Sequence, residues 1–429
     1  MFSLLLWIIY LSFISLGLPD ALLGSAWPIM HQDLNVPLSY SGSIYMTISF
    51  CTILSSLRSE SLNIRFGTGK ITAFSVLLTA LALLGFSRSH SYYALLLFAV
   101  PYGLGAGSVD AALNHYVALH YSGRQMNWLH CMWGIGASLG PYIMGFVLQR
   151  GSTWRTGYFT VFILQAVLTT VLFLSLSLWK QKEEKTGTAE KGKEEVKRIE
   201  EREKEQKETE ETEKKKRKPA SFREIFAIQG AKECLAAFFF YCAIEQTIGL
   251  WAGSFMVYSL KIDAKLAASL VALFYFGITF GRFLSGIFSV RLKDEELIQA
   301  GFFILFFALL LLFISFLVPQ GPALFGTSER VVLIAFSLLF LGLGCAPIYP
   351  AIIHSTPYNF GAENTSALIG KQMAAAYIGS LSLPPLFGFI AKQVGTSLFP
   401  FYAMLLFLTM VYFYRTLLRK TRRAKAERR

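Results

Sequence analysis

Long apolar runs, each broken by a short polar turn, repeat along the chain. A helix of about 20 mostly apolar residues is long enough to cross the roughly 30 Å hydrocarbon core of a bilayer. About twelve such windows can be marked. The first six are Phe2–Ser25, Ser39–Ser59, Ile71–Phe86, Tyr92–Tyr121, Asn127–Gln149 and Tyr158–Trp179. The second six are Glu233–Leu260, Ala264–Val290, Gln299–Leu317, Val331–Pro357, Thr365–Val394 and Phe399–Leu418. The predicted fold is an all-α membrane protein: a six-helix bundle over 1–180, a charged linker at 181–221, a second six-helix bundle over 222–418 and a basic tail at 419–429. The first run has no basic flank before it and contains Pro19 and Asp20, so it reads as a spanning helix rather than a cleaved signal.

Composition agrees, since 54% hydrophobic residues far exceeds the share of a soluble domain. The net charge of +13 gathers in the linker and in Arg415–Arg429. Attraction to an anionic leaflet accounts for it without nucleic acid. Lys and Arg concentrate on the loop side that carries the linker and the C-terminus, which predicts that both termini are cytoplasmic. Lys182–Lys218 alternates Glu and Lys and can bury nothing, so it is a tether, either disordered or a solvated single helix. Its run Lys214–Lys218 is an electrostatic anchor near lipid or, alternatively, a binding segment. Cys51, Cys131, Cys234, Cys242 and Cys345 all fall in apolar spans without metal-ligand spacing, so no disulfide, metal or cofactor is expected. No nucleotide loop or nucleophile motif points to an enzyme.

Against this background Asp20, Asp110 and Glu245 stand alone inside apolar segments. Each carboxylate at bilayer depth costs roughly 2.5 to 3.5 kcal/mol, so three cost about 8 to 10. Function is the expected reason for keeping them. An internal repeat supports the two-bundle division. Gly103-Leu104-Gly105 followed by His115 recurs as Gly342-Leu343-Gly344 followed by His354, and Gly136, Pro141, Gly145 and Phe146 recur as Gly379, Pro384, Gly388 and Phe389. The fourth span therefore mirrors the tenth and the fifth mirrors the eleventh. Small residues at these places permit close packing or functional bending.

These features resemble the major facilitator superfamily over almost the whole chain apart from linker and tail, and within it the fucose permease group of sugar:proton symporters. The resemblance is carried by Gly17-Leu18-Pro19-Asp20, by Gly103 through Asp110 to Asn114, by Gly342 through Ala346-Pro347-Ile348-Tyr349-Pro350, by Tyr241, Glu245, Gly249 and Trp251, and by Gln372 through Ala376-Tyr377 to Pro384-Pro385. It implies import of a sugar driven by a proton gradient. Three departures stand beside it: Ile64 precedes Arg65 where the superfamily usually has Asp, Asp110 replaces the group's Glu, and Trp133 aligns with its Asn.

Asp110 is the first candidate for proton coupling, because Asn114 lies one helical turn later on the same face and burial disfavours the charged form. Asp20, beside a Pro that frees backbone groups, is a coupling or substrate candidate, with a kink-stabilising role as the alternative. Glu245 shares a face with Tyr241 and Gly249 and is expected to meet sugar hydroxyls. Asn127 and His130 share a face of the fifth span, and His115 follows Asn114; a merely hydrogen-bonded histidine is the alternative for each. Trp133, Trp251, Tyr349 and Tyr377 are candidates to stack on a sugar ring, and Gln372 to bind it, although membrane proteins also spend aromatics on packing and lipid. Arg65, Lys70, Arg282 and Arg291 are expected at gate loops, with Arg282 in a conformational latch. The expected partners are a small-molecule substrate, protons and the lipid bilayer of the plasma membrane, with the protein as a monomer. A proton-driven drug or metabolite antiporter is the alternative, and Gly136, Gly140-Pro141 and Gly145 partly resemble an antiporter motif.

Overall fold

Apolar segments in a bilayer have no water with which to share backbone hydrogen bonds, so each must close its own ladder as a helix. The structure, a computed structural model, describes residues 4–120, 123–179, 226–289, 291–318 and 329–427, and helices are the only regular elements among the described residues. The first crossing is α1 (Leu4–Asp20) followed by α2 (Leu22–Asp33). The next five are α3 (Tyr40–Phe66), α4 (Thr68–Arg88), α5 (Tyr92–His120), α6 (Gly123–Gln149) and α7 (Trp154–Leu174). The second half comprises α8 (Ala231–Tyr258), α9 (Ala264–Phe288), α10 (Asp294–Leu317), then α11 (Glu329–Cys345) with the short α12 (Ile348–His354) and α13 (Thr356–Phe360), and finally α14 (Ala362–Val394) and α15 (Phe399–Glu427).

Eleven of the crossings are long and apolar enough to span a membrane by that measure alone. The twelfth is α3, 27 residues long, whose serines and threonines lower its apolarity. Outward-facing side chains such as Leu57, Phe74, Leu97, Phe303 and Leu405 give the surface the apolar coat that lipid requires. Several boundaries differ from the sequence expectation, three of them with structural consequences. The first crossing continues through Asp33, the tenth breaks at Ala346-Pro347, and the last runs on through Glu427 instead of ending where the basic tail begins. Tail residues Lys420 and Arg422 pair with Glu233 at 2.6 Å and Glu295 at 2.5 Å. The linker expected at 181–221 lies outside the described residues.

The repeated glycines show why the two halves share one architecture. Gly103 on α5 sits against the Ile48 carbonyl of α3, and its counterpart Gly342 on α11 sits against the Phe274 carbonyl of α9. Gly105 meets Ser75 and Thr79 of α4, as Gly344 meets Gly301 and Leu305 of α10. Gly136 on α6 packs on the Ile14 carbonyl of α1, and Gly379 on α14 packs on the Phe239 carbonyl of α8. At each place a Cβ would overlap the neighbouring helix. The repeat is thus a set of equivalent helix crossings in two pseudo-symmetric six-helix bundles, where small residues let backbones meet.

A proline kink divides the first crossing. Pro19 has no N–H, so the Ser15 carbonyl one turn earlier lacks its usual donor. Gln165 of α7 supplies one, its Nε2 donating to the Ser15 oxygen at 2.8 Å. Its own Oε1 accepts from Thr79 Oγ1 at 2.8 Å. The break places Asp20 at the end of α1, where its carboxylate leaves the helix axis toward α5 and α6.

The halves meet along two seams, α6 with α9 and α3 with α14, and where α2 crosses α8. Gly24 of α2 touches the carbonyl of Gly249, and Gly145 touches Ser269. Tyr258 donates to the Pro28 carbonyl at 2.9 Å and accepts from Gln32 at 2.9 Å, and it also bonds His31. Gln149 donates to Ser269 at 3.1 Å, and Tyr45 donates to Gln246 at 2.9 Å. Among the described residues, hydrogen bonds between the halves lie at mid-depth or toward the face opposite the termini. These described bonds hold the halves together on that face.

Because Gln165 repairs a defect that Pro19 creates, Gln165→Leu is expected to lower stability by about 1–3 kcal/mol. A fall in the thermal unfolding midpoint of the detergent-purified protein checks it; an unchanged midpoint contradicts the repair role.

Candidate functional site

Asp20 anchors the site. Its Oδ1 accepts from the Tyr102 hydroxyl of α5 at 3.2 Å, and its Oδ2 accepts from the Trp133 indole N–H of α6 at 2.8 Å. Protein encloses this carboxylate on its sides, yet the residue remains solvent-exposed. An enclosed but wetted group at mid-helix is the mark of a cavity wall. Gly17 lets α1 approach closely enough for this, since a Cβ there would overlap the Trp133 carbonyl.

Asp110 lies farther along α5, toward the face that carries the termini. Asn114 Nδ2 donates to its Oδ1 at 2.9 Å and to its backbone carbonyl at 3.0 Å, the one-turn spacing placing amide and carboxylate together. The Asn114 Oδ1 atom is buried without a partner. Across the central space Asp110 is within electrostatic reach of Tyr349 and Tyr377 of the other half, and Tyr377 lies near Ser56 of α3. Asp20, Asp110 and Tyr377 therefore border one wetted space bounded by both halves.

Glu245 has a different setting. It is buried in the wall of the second half, bonded by the Tyr241 hydroxyl, which also lies 3.0 Å from the Cys345 carbonyl at the end of α11. This ties α8 to the break in the tenth crossing. Tyr349 is half-buried against Phe238 and Tyr241, and its hydroxyl meets Met373 Sδ at 3.3 Å.

Several expected site residues are placed elsewhere. Trp251 is fully buried, its N–H given to the Pro384 carbonyl at 2.8 Å and its ring packed on Phe387, so no face is free for a sugar. Gln372 is likewise buried, donating to Thr356 Oγ1 at 3.1 Å and Cys234 Sγ at 3.0 Å. A buried amide needs partners for both ends, and its Oε1 lies 3.3 Å from the Thr356 hydroxyl. Arg282 lies within α9, six residues before its end, with its guanidinium 5.3 Å from the Trp133 ring centroid. Arg65 stacks on Phe66 at 5.3 Å, and it, Lys70 and Arg291 are exposed on the face that carries the termini. Between Arg65 and Lys70 the chain turns at Gly67, whose φ of 82° suits glycine. His130 is exposed and meets the Phe13 ring edge-on at 5.9 Å. The side chains of Asn127 and His115 lie outside the described residues. Tyr102 and Gln246 were not singled out by sequence; only their place in spans that carry acids could have marked them.

Two helical bundles in an apolar coat, joined at one end around wetted mid-depth carboxylates, define a membrane transporter. Comparison supplies the family. Residues 9–328 match the model of the Major Facilitator Superfamily, so the chain belongs to that family. A curated relative, "Bypass of stop codon protein 6" of Saccharomyces cerevisiae, is 21% identical over 398 residues, covering 90% of this chain and 77% of that protein. Among solved structures, a D-xylose–proton symporter is similar with a TM-score of 0.68 at 13% identity, covering 96% of this chain and 97% of that one. The nucleoside transporter NupG is similar with a TM-score of 0.67 at 12% identity, covering 97% and 100%. A peptide transporter reaches 0.70 at 12% identity, covering 97% and 95%. These likenesses fix the fold, and the fold together with the family makes the chain a transporter rather than an enzyme.

The Tyr241 hydroxyl serves both Glu245 and the Cys345 carbonyl, so Tyr241→Phe is expected to cost about 1–3 kcal/mol while keeping the ring packing. Chemical unfolding of the purified protein measures the loss; equal stability of variant and wild type would show the hydroxyl to be idle.

Proposed function

We propose that the protein imports a sugar or related polar metabolite together with a proton by alternating access, as a monomer in the plasma membrane with both termini in the cytoplasm. The observation that carries this reading is Asp110, a mid-membrane carboxylate with one amide partner, wetted by a space that both halves border. A carboxylate that water reaches from one side at a time can take a proton at one face and release it at the other. Asp20 is the second candidate, held by Tyr102 and Trp133 so that a ligand's hydroxyl group could compete for either bond. Tyr377 and Trp133 offer aromatic faces, and Asn114, His130 and Tyr349 offer polar edges, the mixture that a hydroxylated ring requires. Glu245 and Tyr241 act from the wall, shaping the site through the break at Cys345.

The resemblance to fucose permeases in the first, fourth and tenth spans supports the same substrate class. Within this reading Arg65, Lys70 and Arg291 move with the opening and closing of the cytoplasmic end, and the linker at 181–221 tethers the bundles there. The hydrogen bonds that join the halves at the end opposite the termini support a cytoplasm-facing state of the cycle.

Reconstituted vesicles with a pH-sensitive dye inside test the proposal when monosaccharides, glycosides and common drugs are added in turn. Substrate-dependent proton movement in the same direction as a sugar is expected. Asp110→Asn is expected to cut proton-driven uptake roughly tenfold or more, a loss of at least about 1.4 kcal/mol, while exchange of substrate without a pH gradient persists. Full pH-driven uptake in this variant removes Asp110 from the coupling role, and proton movement opposite to the substrate makes the protein an antiporter.

A further inference from the structure

Arg282 and His130 project from opposite halves into the seam between α9 and α6, and neither has a hydrogen bond or ion pair among the described residues. His130 is nonetheless within electrostatic reach of Arg282. Arg282 is half-buried and His130 exposed, so water or a ligand reaches both. A guanidinium carries five N–H donors in a planar fork that matches carboxylate geometry, and leaving them without an acceptor at membrane depth is costly.

The acids nearby do not serve as its counter-ion. Asp20 is taken by Tyr102 and Trp133, Asp110 by Asn114, and Glu245 by Tyr241. None of them forms a salt bridge with Arg282 among the described residues. Its position is fixed instead by the face of Trp133, whose N–H points to Asp20. Trp133 therefore orients a cation on its face and a carboxylate at its edge. The ends of a small molecule lying along this ring would meet unlike chemistry: the guanidinium of Arg282 with an imidazole N–H of His130 at one end, hydroxyl partners around Asp20 at the other.

We infer that the transported substrate carries a carboxylate, seated on Arg282 with His130 beside it, and hydroxyl groups directed to the Asp20 end: a sugar acid rather than a neutral sugar. This rests on the proposed sugar transport and narrows its substrate class.

Binding to the full-length purified protein, measured by calorimetry, compares D-glucose with D-glucuronate and D-galactose with D-galacturonate. The uronates are expected to bind roughly tenfold or more tighter than their parent hexoses, the range of a charge-assisted hydrogen-bond pair. Arg282→Gln is expected to erase this preference, while Arg282→Lys keeps part of it because the charge remains. An unaltered uronate preference in Arg282→Gln overturns the inference. If Arg282→Gln does not fold, His130→Gln and the wild-type preference itself still decide it: wild-type protein that binds uronates no better than hexoses overturns the inference. Hexoses that bind and move protons while uronates do neither overturn the anion seat and leave sugar transport standing. Lactate bound as tightly as the uronates, with hexoses inert, supports the anion seat and overturns the sugar reading. Failure of every probe to bind overturns both.

Discussion

A carboxylate placed halfway through an apolar slab has to be given hydrogen-bond donors by other helices, and the arrangement around Asp20 follows from that constraint. The donors come from α5 and α6, so three crossings are fixed relative to one another at a single point. They can converge only because Gly17 lets α1 and α6 touch and because Pro19 ends the regular helix just before the acid. The kink in turn exposes the Ser15 carbonyl, which Gln165 of α7 satisfies. One acid at membrane depth thus links a proline, a glycine, an indole and an amide through the polar groups that each leaves to be satisfied.

The second half solves the same problem with other residues. Glu245 is not at a helix break but mid-way along α8, and its donor Tyr241 reaches across to the Cys345 carbonyl, where Pro347 ends the ladder of α11. Shared topology and repeated glycines make the halves alike in backbone. The polar residues make them unlike: Asp20 is wetted and Glu245 is enclosed. An asymmetric site inside a pseudo-symmetric frame suits a transporter, since the frame can rock while one wall keeps the ligand's orientation.

Much of the fold was legible in the sequence because its signals are local. Apolar length marked the crossings, and Gly103, Gly136, Gly342 and Gly379 betrayed the repeat since each must meet a neighbouring backbone. The Asp110–Asn114 bond was legible for the same reason, being a matter of one helical turn. What escaped depended on the rotation of a helix in the bundle. Trp251 and Gln372 have the residue types of a sugar site, but their faces turn into the second half, where Pro384, Thr356 and Cys234 occupy their polar atoms. Sequence places Arg282 near the end of its helix, but its contact with Trp133 of the other half was not legible, because it too depends on that rotation. Long spans with polar residues on more than one face leave that rotation undetermined, because apolar periodicity is weak when lipid, core and cavity each take a side.

The departure at Trp133, where the fucose permease group has Asn, gains meaning from this geometry. An Asn could donate to Asp20, but it has no aromatic face. An indole donates from its edge and attracts a cation to its face, so the same substitution that keeps the carboxylate supplied also gives Arg282 a place to rest. A guanidinium paired directly with Asp20 would close the site with an internal salt bridge that any ligand would first have to break. With the indole between them, Asp20 and Arg282 form no such bridge among the described residues, and in the proposed reading each can answer a different end of one ligand.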